Sequence, residues 1–209
     1  MSQDNFEELL STLNQQSTLS LMDKKIIKPF NVPGTHAFEN YRTKIVKDQS
    51  GNELLRVDYD PSGNSQGGGF LAKLQQFATG MLNFKIGDLD GNYIYSVKVD
   101  KFMATTHNFS IMNGDGTEDK FTATHKLMSL GRESLVVFSM DGSPVLSTEY
   151  RGYKKFIEVT DGNGNPAAAL NSPIMSTTFR EKWQLDFTGQ CDRSLVLIMA
   201  SIMSELGQR

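Results

Sequence analysis

The stretch DRSLVLIMASIMSEL, residues 192–206, is the most apolar run of the chain, and whether it crosses a membrane or fills a protein interior decides the architecture. From Arg193 to Leu206 there are fourteen residues. As a helix they rise about 21 Å, at about 1.5 Å each. A bilayer core of about 30 Å asks for about 20 apolar residues, and here Ser201, Ser204 and Glu205 dilute the far end. Nor is the run amphipathic. Leu195, Val196, Leu197, Ile198, Met199 and Ala200 occupy every side of a helix, followed by Ile202, Met203 and Leu206. A helix that is apolar all round is a buried one. Asp192 stands where an N-cap belongs, and Gly207 where a C′ glycine belongs. A buried parallel strand is the competing reading, but strands seldom run so long, and Ala, Met and Leu favour helix.

The remainder reads largely as strands and turns. YRTKIVKDQSGNELLRVDY (41–59) holds two β-rich runs separated by Asp48 to Asn52. NFKIGDLDGNYIYSVKV (83–99) repeats the plan with Asp88 to Asn92 at the turn. SLVVFSMDGSPVLSTEY (134–150) does so with Asp141-Gly142, and KKFIEVTDGNGNPAAAL (154–170) with Asp161 to Pro166. A fifth, less regular copy spans 108–125. Asp-Gly and Gly-Asn tolerate the positive φ of a tight turn, so these are hairpin signals. Within one strand, alternation puts Tyr93, Tyr95, Val97 and Val99 on one face and Ile94, Ser96 and Lys98 on the other. About ten strands in one sheet must curl, split or close. Closure removes the exposed edges but leaves an interior too wide for wall side chains alone. Residues 193–206 supply the plug.

Two further segments have helical periodicity. Phe6, Leu9, Leu10 and Leu13 share a face, and Asp4 followed by Glu7 matches a capping box. Phe70, Leu71, Leu74, Phe77, Ala78 and Met81 trace another face after the flexible DPSGNSQGGG, 60–69. The expected organisation is therefore an N-terminal helical segment, 1–22, and a barrel domain, 23–209, with a Gly-rich loop and helix inserted at about 60–81.

Hairpins with DGN-type turns, closed by an apolar helix just after an Asp, resemble the tubby C-terminal-like superfamily, and within it the LURP-one-related and phospholipid-scramblase branch. Three pieces carry the likeness: FKIGDLDGNYIYSVKVDKF (84–102), SLVVFSMDGSPVLSTEYRGYKKFIEV (134–159) and DRSLVLIMASIMSEL. The resemblance covers roughly residues 25–206. It implies a mainly β fold with a buried helix (α+β), namely a closed antiparallel β-barrel of about twelve strands around a central C-terminal α-helix, in line with the closure argument. Functions in the superfamily are diverse: phosphoinositide binding in tubby proteins, proposed lipid translocation in scramblases, and defence-linked or housekeeping roles in LURP-one relatives. Against the scramblase pattern, there is no proline-rich N-terminal region and no cysteine cluster, and Thr188 to Asp192 lacks the acids of the calcium loop proposed there.

Composition narrows the chemistry. The 209 residues are 38% hydrophobic and 22% charged, as in a globular protein with a polar surface. A net charge of −3 supplies no global field for nucleic acid. One cysteine, Cys191, excludes an internal disulfide framework and fits a reducing compartment. MSQDNFEELL carries acids where a signal peptide carries bases, so a cytoplasmic location, peripheral to a membrane where lipid is bound, is expected. Asp161-Gly-Asn163-Gly-Asn165 opens like an EF-hand loop, but Pro166 replaces its sharp-turn glycine and Ser172 its bidentate acid. His36, His107 and His125 lie far apart without a zinc motif and read as polar strand positions. No nucleophile elbow, P-loop or dinucleotide fingerprint occurs. No catalytic residue, metal or cofactor is therefore expected. Cys191 beside a helix N-terminus reads as an inert packed thiol.

Basic residues cluster at Lys24, Lys25 and Lys28, at Arg180 and Lys182 beside Trp183, and in EYRGYKKF. Cations interleaved with aromatics suit an anionic head group. Arg151, Lys154 and Lys155, inside the family-like segment, are the candidate lipid-binding residues. The expected function is a non-enzymatic barrel that binds anionic phospholipid or phosphoinositide, or a protein partner. A scramblase-like translocator and an enzyme with an unrecognised site are the alternatives. No nucleic-acid partner and no membrane span are expected.

Overall fold

The computed structural model describes residues 3–23, 43–59, 82–151, 156–171 and 182–206. Among them, helix α1 (Gln3–Asn14) precedes twelve strands. These are β1 (Thr18–Asp23), β2 (Thr43–Lys47), β3 (Glu53–Tyr59), β4 (Phe84–Gly87), β5 (Tyr93–Phe102), β6 (Thr106–Asn113), β7 (Asp119–Leu127), β8 (Arg132–Ser139), β9 (Pro144–Arg151), β10 (Phe156–Asp161), β11 (Pro166–Asn171) and β12 (Lys182–Phe187). Helix α2 (Arg193–Leu206) closes the chain. Every strand runs antiparallel to its sequence neighbours, and β1 pairs with β12 from Thr18↔Asp186 to Met22↔Lys182, so the sheet closes on itself.

The hairpins are built from one device used three times. In the β2–β3, β4–β5 and β10–β11 turns an Asp accepts the backbone N–H of the Asn four residues on: Asp48 from Asn52, Asp88 from Asn92, Asp161 from Asn165, each at 2.8 Å. The other carboxylate oxygen holds the same Asn's side-chain amide. The intervening Gly51, Gly91 and Gly164 take φ of 86°, 96° and 83°, which side chains disfavour. These carboxylates are thus occupied by turn donors, which explains the Asp161 segment without calcium.

Strand alternation points Leu55 and Val57, Leu135 and Val137, or Leu19 and Leu21 inward, where each is buried. Outward positions carry Arg56, Asp58, Lys98, Ser134, Glu158 and Gln184. Apolar inside and polar outside is the reverse of an outer-membrane-type barrel. Twelve strands about 4.8 Å apart and tilted about 40° enclose a cylinder of roughly 12 Å radius, room for one helix and a layer of wall side chains. Helix α2 fills that space, with residues 194–205 all buried. An eight-residue strand at that tilt covers about 21 Å of barrel height, which matches the helix length. The Asp192 carboxylate accepts the Ser194 N–H at 2.9 Å, the N-cap anticipated from sequence. Ser201 and Ser204 satisfy their hydroxyls on the carbonyls of Leu197 and Ser201. No helix among the described residues is long and apolar enough to cross a membrane.

Three expectations need correction. Helix α1 ends at Asn14, and Thr18–Asp23 is strand β1, so the barrel begins before residue 23. The alternation of TLSLMD, with Leu19 and Leu21 fully buried, is the reason. Asp4 lies within α1 rather than at its cap. Tyr93 does not share a face with Tyr95, because the register shifts between Ile86 and Gly87. Its hydroxyl donates to Asp58 on the outer wall at 2.9 Å, whereas Ile94 and Tyr95 are both buried. The inserted helix at about 60–81 and Gly207 lie outside the described residues.

Candidate functional site

The meander gives the barrel two unlike ends. All five short hairpin turns, together with Asp192 at the start of α2, are at one end. The opposite end holds the β5–β6 and β7–β8 connections, the strand ends at Thr43, Tyr59, Arg151, Phe156, Asn171 and Lys182, and the C-terminal turn of α2. Two groups of polar side chains turn inward a layer below this second rim.

The first inward group joins wall to helix. Lys44 on β2 is 1% exposed. Its ammonium donates to the Ser204 hydroxyl and lies 3.4 Å from Glu205 Oε1. It also sits 5.8 Å from the Tyr59 ring centroid, and the Tyr59 hydroxyl donates to the Ser201 carbonyl at 3.4 Å. The second group spans four strands. His107 and His125 are opposite each other on β6 and β7, their rings stacked with Nδ1 atoms 3.0 Å apart. A hydrogen bond at that separation needs one nitrogen to donate and the other to accept. His125 Nε2 reaches Glu133 Oε2 at 2.9 Å. That hydrogen bond, above all, holds Glu133 below the usual carboxylate range. Burial first, and Glu133 second, push the Tyr150 phenol far above its ordinary value, so it stays protonated. Among the described residues no cluster of His, Cys, Asp and Glu has the arrangement of a metal site. The histidine pair was not legible as a pair in the sequence; only the symmetry of a hairpin about Gly116 hinted at it.

On the outer wall at the same rim stand Lys101, Lys126, Arg132 and Arg151, all exposed. Arg151 ends β9 directly opposite Arg132 at the start of β8. Arg132 donates to Glu149 at 2.8 Å, further down the wall. Of the three candidate lipid-binding residues the structure thus places Arg151 at this rim, while Lys154 and Lys155 lie outside the described residues, as do Lys24, Lys25, Lys28 and Arg180. The aromatic interleaving inferred for EYRGYKKF is corrected in part. Tyr150 faces the interior and is 8% exposed, because neighbours on a strand point to opposite sides. Trp183 likewise points inward, away from Lys182. Cys191 is half-buried and its thiol is pushed up by burial, the opposite direction to that of an activated thiolate. Elsewhere on the wall an open groove of about 260 Å³, lined among others by Thr18, Ser20, Asp48, Lys182 and Gln184, carries one acid and one cation.

No family model matches the chain, and no curated protein matches it. Among solved structures, the X-ray structure of a protein from Arabidopsis thaliana superposes with a TM-score of 0.56 at 12% identity, covering 95% of this chain and 96% of that one. At that identity the likeness is one of fold: a closed twelve-stranded antiparallel barrel with a C-terminal helix, consistent with the tubby-like architecture.

Proposed function

We propose that this barrel is a non-enzymatic, LURP-one-related binding protein whose ligand is an anionic phospholipid surface, met at the rim where Arg151 stands. The observation that carries this reading is the depth order of charge on β5 to β9. The outermost outward charges are Lys101, Lys126, Arg132 and Arg151, with the uncharged Thr106 on β6, whereas Asp100 and Glu149 lie one or two residues nearer the waist. Two strand residues are about 6.6 Å, close to a Debye length in physiological salt, so a flat anionic surface at the rim meets the cations first. The segment joining Arg151 to Phe156 adds Lys154 and Lys155 in sequence. Each cation near such a surface contributes about 1 kcal/mol. Among the described residues the titratable groups at this end, His107, His125, Glu133 and Tyr150, are turned into the wall, the histidines and Glu133 bonded to one another, which supports a binding reading. Helix α2, enclosed by the barrel, is not offered to a bilayer, which removes the support for a translocator reading.

Flotation with phosphatidylcholine vesicles, with and without phosphatidylserine, tests the proposal. Binding to the anionic vesicles that weakens with salt and with Arg151→Ala supports it. Equal behaviour on both vesicle types refutes it.

A further inference from the structure

Seven large hydrophobic side chains are exposed among the described residues, and five of them are at the cationic rim: Met103, Leu127, Met128, Leu130 and Phe156. Single exposed hydrophobes need no explanation, but a group on one end does. Two of the connections bearing them are tied together by the Leu127 N–H, which donates to the Thr105 carbonyl at 2.8 Å, and the β7–β8 connection is closed on itself by the Met128 N–H, which donates to the Arg132 carbonyl at 2.7 Å. Leu130 stands out most. It is 89% exposed at the tip of the β7–β8 connection, with φ 62° and ψ 31°. It is the sole non-glycine residue with positive φ among the described residues. Left-handed backbone is normally left to Gly, Asn or Asp, and Gly131 beside it has open space around it. Neither burial nor backbone preference accounts for a leucine there.

We infer that the β7–β8 tip, led by Leu130 and flanked by Met128, Leu127 and Met103, inserts into the acyl boundary of an anionic bilayer while Lys101, Lys126, Arg132 and Arg151 rest on its head groups. Charge complementarity selects this occupant: the cations ring the apolar tip on the side where acids are set back. The inference rests on the lipid-surface reading above and adds to it that apolar insertion, and not charge alone, holds the protein there. Inserting one leucine side chain is worth about ten-fold or more in partitioning.

The test uses the full chain and phosphatidylcholine–phosphatidylserine vesicles containing acyl-brominated phosphatidylcholine. Leu130→Trp supplies a fluorophore at the tip, and Trp183, buried inside the barrel, is the internal reference. Quenching in Leu130→Trp and none in the parent are expected. Leu130→Gly, which relieves the left-handed backbone and so does not unfold the protein, should weaken vesicle binding about ten-fold with an unchanged or raised urea midpoint. Binding to anionic vesicles without quenching, and with Leu130→Gly binding as tightly as the parent, overturns insertion and leaves the head-group reading standing. No binding to anionic vesicles overturns both. A dimer of the free protein in sedimentation that Leu130→Gly dissociates would assign the tip to a second copy of the chain and overturn the lipid assignment.

Discussion

Replacing Lys44 by Met tests how the central helix is anchored. Lys44 and Glu205 side chains are 1% and 2% exposed, with Nζ and Oε1 3.4 Å apart. At an effective dielectric of about 20, their attraction is about 5 kcal/mol. Desolvating each ion costs several kcal/mol, so the pair as a whole is near break-even against apolar side chains of similar volume. Removing one partner is different, because a buried charge is left behind. Lys44→Met alone and Glu205→Leu alone should each destabilise by about 3–5 kcal/mol, and the double substitution by far less than their sum, with non-additivity of about 3 kcal/mol. Urea unfolding followed by Trp183 fluorescence and far-UV circular dichroism measures all four corners of the cycle. Additive single effects would refute the claim that the two side chains act as one buried unit.

Three other outcomes follow from the same geometry. An Ala Cβ at Gly114 would come 1.8 Å from the Tyr93 carbonyl oxygen, whereas at Gly142, φ 85°, nothing lies within 4 Å. Gly114→Ala should therefore cost about 3 kcal/mol or more, and Gly142→Ala about 1–2 kcal/mol for its left-handed backbone, in parallel denaturation curves. Ile198→Ala, in the fully buried middle of α2, should cost about 2–5 kcal/mol through the cavity it leaves, read from the same curves. Glu133 is held below its ordinary value of 4.5, chiefly by His125. The stability it contributes is complete above that value and is lost as pH falls through the lowered one. Glu133→Gln should accordingly flatten the acid limb of the melting temperature against pH, and an acid limb identical to the parent's would contradict the assignment.

The sequence by itself determined the hairpins, because Asp and Asn cap their own turns and Gly takes the positive φ, all within five residues. It also determined that residues 193–206 are enclosed, since a helix apolar on all sides leaves no face for water. Closure through β1 was decided elsewhere. The six residues Thr18–Asp23 are too short to signal alone and gain their place by pairing with β12 across the chain. Register was decided by bulges. The shift between Ile111 and Met112 sets His107 against His125; an unbulged ladder from Met112↔Asp119 would oppose His107 to Thr124. Periodicity shows that a strand alternates but not where an extra residue slips it by one, and such a slip turns every side chain to the other face. Lys44 and Glu205 are 161 residues apart in the chain, and the rim's leucine, methionines and arginines come from three different connections. Those partnerships depend on which strand ends the closed barrel brings together, a long-range property that no local pattern of residues encodes.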